Sequence, residues 1–196
     1  MSAVLVKTYA APPVDEREVF RYARCPAPTP LETELLAAVR AEVEEDLRYS
    51  VCWCELALSV KGDECDLGGV RVRSKSLAAA LSGCDRAVVF AATVGLALDR
   101  LLVKYNRLSP AKALFLQALG AERVEALCDA FCAEFEGAKM RFSPGYGDLP
   151  LAFQREVFAL LDCGKRIGLT LNESLLMSPG KSVTAIFGLS RQGETV

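Results

Sequence analysis

The sequence predicts an α+β fold, on three observations. Strand-like and helix-like stretches do not alternate regularly, which disfavours a doubly wound parallel sheet. The second half is mostly helical in pattern. Two stretches, Ala87–Ala92 and Ser182–Leu189, read as buried strands because they are continuously apolar or nearly so between polar turn residues.

The elements follow in chain order. Residues 3–8 are the first expected strand, and Val14–Tyr22 is a short helix. Cys25-Pro-Ala-Pro-Thr-Pro30 is a stiff extended connector, since three prolines in five residues forbid a helix. Thr29 and Pro30 then start a helix as its cap and first residue, with Leu35, Leu36, Val39, Val43 and Leu47 at helical spacing. Val51–Val60 is a strand. Lys61-Gly-Asp-Glu64 is a turn, and Gly68-Gly69 marks a bend before Val70-Arg-Val72. Ser74–Leu81 is a short helix and Leu96–Tyr105 another. Ser109-Pro110 opens a longer helical pattern to about Phe135, with an expected break at Gly120 and a buried stripe of Val124, Leu127, Cys128, Phe131 and Phe135. A glycine- and proline-rich loop, Arg141–Pro150, leads to a last helix, Leu151–Leu161.

Composition narrows the function. The 196 residues fit one domain, 1–196, or at most two small ones, and 52% apolar content is enough for a substantial core. A net charge of −2 with both signs interspersed offers no field for a polyanion, so nucleic acid is excluded as the expected partner. No apolar run approaches the roughly 18–20 residues that cross a bilayer. Residues 1–7 lack a basic leader segment and a clear cleavage site, so a cytoplasmic location is expected.

The chain has eight cysteines and no histidine. None of the cysteines forms the Cys-x-x-Cys spacing of zinc ribbons and thioredoxin-like sites. Cys52 and Cys54 share a strand face, and Cys128 and Cys132 share a helix side. Small buried hydrophobes in a reducing compartment are the simpler reading; a metal or iron–sulfur site is the alternative. Without histidine, Ser-His-Asp and Cys-His nucleophile systems are excluded.

Familiar motifs fail on inspection. Gly180-Lys181-Ser182 lacks the earlier glycine of a phosphate-binding loop, since position 175 is Leu175, and a strand follows where a helix is needed. Gly145-Tyr146-Gly147 would need its third glycine at Pro150. Asn172-Glu-Ser174 is a glycosylation sequon by letters only.

The informative segment is Arg141-Phe-Ser-Pro-Gly-Tyr146. Arg141 precedes a bend whose Gly145 allows close backbone approach and whose Pro144 fixes the shape. Tyr146 adds a flat ring and a hydroxyl. The group suits a small zwitterion bearing a flat base: the guanidinium grips a carboxylate, and backbone groups of the bend read an adenine edge. Taken alone, such a turn is most often surface structure.

This segment resembles the Arg-Pro-Ala-Pro-Gly-Tyr run of the activation domain of cobalamin-dependent methionine synthase. Downstream, Gly168-Leu-Thr-Leu-Asn-Glu-Ser174, Met177-Ser-Pro-Gly180 and Ser182-Val183 resemble that family's Leu-Thr-Glu-Ser…Met-x-Pro-x-x-Ser-Val segment, at matching spacing. Upstream, Ala91-Ala-Thr-Val-Gly95 and Leu119-Gly-Ala…Val124-Glu-Ala-Leu-Cys-Asp129 resemble its Ala-Thr-x-Gly and following helix. The resemblance is strong over residues 84–190 and loose over 1–83, where Arg21-Tyr22 and the strand order carry it.

The resemblance implies a mixed or antiparallel sheet with long helices packed on it, and a stand-alone activation subunit. Arg141 would hold the carboxylate of S-adenosylmethionine, Pro144 and Gly145 would contact adenine through their backbone, and Tyr146 would face the corrinoid. Asp129 aligns with an acidic position, commonly glutamate, that meets the positive end of the ligand. Glu173 and Ser174 would hold their loop against the final strand. The implied chemistry is reductive methylation of cob(II)alamin carried by a partner: methionine synthase or another corrinoid protein. The electron comes from flavodoxin or ferredoxin. Because cob(I)alamin is itself a strong nucleophile and a sulfonium methyl is already activated, placement matters and a general base is not needed.

The sequence also departs from the family. Gly147-Asp-Leu-Pro150 replaces a Pro-Ala-Cys-Pro type run, and a tyrosine-bearing segment that touches the methyl donor in the family lies beyond where this sequence closes at Val196. A non-catalytic module that docks on a corrinoid protein without binding S-adenosylmethionine is therefore the alternative. A methyltransferase for another small molecule is a third reading, which would need its own acceptor base.

Overall fold

The computed structural model describes residues 3–190; the closing residue Val196 lies outside them. The strands are β1 (Leu5–Tyr9), β2 (Tyr49–Lys61), β3 (Glu64–Leu67), β4 (Val70–Arg73), β5 (Cys84–Thr93), β6 (Thr170–Leu171), β7 (Met177–Ser178) and β8 (Ser182–Ser190). The helices are α1 (Glu16–Tyr22), α2 (Pro30–Val43), α3 (Lys75–Ala80), α4 (Ala97–Leu108), α5 (Pro110–Cys132), α6 (Gln154–Leu161) and α7 (Cys163–Ile167). Among the described residues, six strands form one antiparallel sheet in the order β4-β3-β2-β5-β8, with β1 pairing the first part of β2 and β3 its last part. The fold is α+β, as expected.

Both faces of this sheet are covered at its centre, so β5 is apolar without alternation from Ala87 to Ala92. On β5, Val88, Phe90 and Ala92 enter a core shared with α1, α2, α4 and α5. Ala87, Val89 and Ala91 enter a second core with α3, α6 and α7. Cys52 and Cys54 of β2 lie in that second core, and Cys128 is buried in the first. All eight cysteines are free thiols, and among the described residues no cluster of three metal-ligating side chains exists.

Local chemistry explains the helix boundaries. Thr29 and Glu32 form a reciprocal capping box ahead of Pro30. Ser109 accepts the Lys112 N–H to open α5. The expected break at Gly120 does not occur, and α5 runs unbroken for 23 residues. Gly120 is there for closeness: a side-chain carbon would fall 2.8 Å from Leu98 of α4 and from Lys181. Phe135 lies beyond the helix end, yet its ring still meets Phe131 at 5.1 Å.

β8 would leave an open sheet edge, which folds generally protect. The segment after α5 covers it. Lys139 donates its N–H to Gly188 O at 2.9 Å, and Phe142 and Ile186 exchange two backbone bonds at 2.7 and 2.9 Å. This strap carries Arg141. No helix among the described residues is long and apolar enough to cross a membrane.

Candidate functional site

The strap divides its side chains between the two layers. Phe142 packs into the second core, while Arg141 turns to α5 and forms ion pairs with Glu125 and Asp129. The two acids are four residues apart on one helix face, so a single guanidinium spans both. Arg141 is 23% exposed and Asp129 is 69% exposed. Burial works against the Arg141 charge, but the hydrogen bonds it donates to Asp129 and Glu125 outweigh it and hold its pKa above the ordinary value. Beside it, burial raises the Cys132 thiol to about 11, so it stays protonated at neutral pH.

Glu125 and Asp129 line a cleft of about 350 Å³ between α5 and the segment running from Pro12 into α1. Pro13, Asp15, Glu18 and Tyr22 form its opposite wall. That volume is within the range of small-ligand clefts. A larger groove of about 710 Å³ lies elsewhere, between α3 and the β2–β3 turn, beside Gly62, Lys75 and Gly83. It contains none of the expected site residues, so volume alone does not mark the site.

The bend that follows Arg141 sits on the other layer. Gly145 adopts φ +93° and Gly147 φ +53°, conformations that side chains resist. A side-chain carbon on Gly147 would fall 2.5 Å from Ser76 Oγ. This closeness lets Asp148 cap α3: its carboxylate accepts from Ser74 Oγ at 2.5 Å and from the N–H groups of Lys75 and Ser76 at 2.8 and 3.0 Å. Those bonds, led by the Ser74 hydroxyl, hold the Asp148 pKa far below the usual carboxylate range. The departure Gly147-Asp148 in the sequence thus has a structural purpose.

Three of the bend's amides are engaged within the loop. Gly145 donates to Leu149 O at 2.9 Å, Tyr146 donates to Ser143 O at 3.1 Å, and Leu149 donates back to Tyr146 O. The Gly145 amide is therefore engaged within the loop, which leaves the carbonyls of Pro144 and Gly145 as the backbone groups there for an outside donor. Tyr146 meets Phe142 edge-on at 6.2 Å and is 61% exposed.

The fold therefore brings Arg141 and Asp129 together; of the expected site residues only Asp129 lines the cleft, and Arg141, Pro144, Gly145 and Tyr146 lie outside its lining. Glu125 is a site residue that the sequence reading missed; its four-residue spacing to Asp129 was the available signal. Glu173 does not hold its loop to the final strand. Its carbonyl accepts from Arg155 of α6 at 3.0 Å, which corrects that expectation. Chemically, this is a charge-recognising rim beside a cleft, suited to holding a zwitterion.

No protein-family model matches the sequence, and no curated protein matches it. The fold nonetheless has a solved counterpart. The crystal structure of the MetH reactivation domain bound to AdoHcy is similar at a TM-score of 0.74, over all of this chain and 81% of that one, with 15% sequence identity. At that identity the likeness shows the fold, and the site must be argued from its own geometry.

Proposed function

We propose that this chain binds S-adenosylmethionine and presents its methyl group to a reduced corrinoid carried by a partner protein, cobalamin-dependent methionine synthase or a relative, with flavodoxin or ferredoxin as electron donor. On this reading residues 1–196 act as one domain. Its fold counterpart holds AdoHcy, the demethylated form of the same ligand. The observation that carries the reading is the pairing of Arg141 with Asp129 and Glu125, two acids that line the cleft.

The residues fit the ligand's charges. Arg141 would exchange Asp129 and Glu125 for the ligand carboxylate, and the freed carboxylates would take its ammonium group. The exchange leaves no charge unpaired, because the ligand's carboxylate and ammonium replace both halves of the resting contact. The carbonyls of Pro144 and Gly145, whose neighbouring amides are engaged within the loop, would accept from an adenine amino group. Exposed Tyr146 would face the partner. The bound sulfonium supplies an activated methyl; the chain's part is to hold it in line and exclude water.

A second reading has one observation in its favour. Arg141 already has two carboxylate partners, as a docking module that no longer binds the methyl donor would require. Titration calorimetry with S-adenosylmethionine separates the two. The first reading expects saturable binding that Arg141→Ala weakens tenfold or more; the docking reading expects no binding heat from either protein.

A further inference from the structure

Glu122 and Arg123 are the most thoroughly buried charges on α5, at 5% and 2% exposure. Adjacent helical residues do not normally face each other, yet the Arg123 guanidinium folds back, with Nε and Nη2 each 2.5 Å from a Glu122 oxygen. Its other donor capacity goes to backbone: Nη1 to Pro12 O at 2.5 Å and Nη2 to Pro13 O at 2.7 Å. Glu122 Oε1 also accepts the Asp15 N–H at 3.0 Å. Asp15 in turn caps α1 through the N–H groups of Arg17 and Glu18, at 2.9 and 3.3 Å.

Pro12 and Pro13 have no N–H with which to anchor themselves, so their carbonyls are tied from outside. The tie runs to the wall of the cleft whose other side holds Glu125 and Asp129. A buried ion pair is a costly way to fill space, since apolar residues of equal volume are often as stable or more so. Its worth here is directional: it fixes where the Pro12–Asp15 wall stands.

We propose that Glu122 and Arg123 are a positioning pair that sets the width of the cleft, and through it the affinity for S-adenosylmethionine. This rests on the ligand reading above. Arg123 is outside the cleft lining and acts only through the wall it holds, whereas Glu122 also lines the cleft, so Arg123→Lys, which leaves Glu122 in place, reads the tether separately from any direct contact.

The test uses the double variant Glu122→Leu/Arg123→Met, which removes the tether while keeping volume and leaving no buried charge unpaired, and the single variant Arg123→Lys, which keeps the charge but not the two-armed reach. Melting temperature, amide hydrogen exchange over residues 14–19 and the S-adenosylmethionine dissociation constant are measured for each. For the double variant the expected result is an unchanged or higher melting temperature, exchange over residues 14–19 at least tenfold faster, and affinity at least tenfold weaker. Arg123→Lys should fall between it and the unaltered chain. Exchange that stays at the unaltered rate overturns the proposal, as does affinity within twofold of the original despite faster exchange. An affinity loss that only tracks a falling melting temperature also overturns it, because that is what general destabilisation does. If the unaltered chain binds no S-adenosylmethionine, the ligand reading falls and the affinity part of the proposal falls with it. The exchange data still decide whether the pair holds the wall.

Discussion

Within about two turns of α5, this chain carries two guanidinium–carboxylate clusters of opposite character. Arg123 is sealed from solvent and has all its partners, including two backbone carbonyls, inside the protein. Arg141 is half-buried, reaches α5 from the strap, and pairs with an exposed Asp129 and a partly exposed Glu125. The first arrangement cannot be exchanged without unfolding its surroundings. The second can be, since a zwitterion replaces both of its halves. Burial thus separates a structural charge from one available to a ligand, although both sites read as the same kind of ion pair.

The largest expected effect tests the sealed cluster. Arg123→Met alone leaves Glu122 charged and buried without its partner, and should cost about 3–5 kcal/mol in denaturant unfolding. A loss below 1 kcal/mol would mean that the pair is not sealed as described. The exposed cluster should behave in the opposite way. Arg141→Ala should change unfolding stability by less than about 1 kcal/mol. The same variant should lose about 1.5–3 kcal/mol of S-adenosylmethionine binding, the usual value of a shielded charge-assisted hydrogen bond. Equal losses in stability and binding would erase the contrast between the two arginines.

The smallest expected effect concerns the bend. Asp148 has a depressed folded-state pKa, so it contributes stability above its unfolded value near 4 and loses that contribution as pH falls below it. Asp148→Asn should therefore lower the melting temperature by a few degrees at neutral pH. The gap between variant and unaltered chain should close under acid conditions. A gap that is constant with pH would show that the carboxylate charge is not what docks the bend on α3.

Much of this fold was legible because its signals are local. Thr29-Pro30 and Ser109-Pro110 announce helix starts within a few residues, and the unbroken apolar run in β5 announces a strand buried on both sides. The site was legible only in part, since its other members act across long sequence separations. Asp148 caps a helix 74 residues earlier in the chain, and Arg123 holds a carbonyl 111 residues away. Gly120 misled because a glycine inside a helical pattern signals weakness in isolation, whereas here it makes room for Leu98 and Lys181. Glu125 was missed for a related reason: its four-residue spacing puts it on the same helix face as Asp129, but only the fold brings a distant arginine to both.

The central claim is that Arg141 leaves its acids to take a ligand carboxylate. A crystal structure of the chain grown with S-adenosylmethionine tests it most directly. The account predicts the ligand at the cleft mouth, its carboxylate on the Arg141 guanidinium, its ammonium on Asp129 or Glu125, and the resting pair opened. Ligand density elsewhere, with the Arg141–Asp129 contact intact, would contradict it.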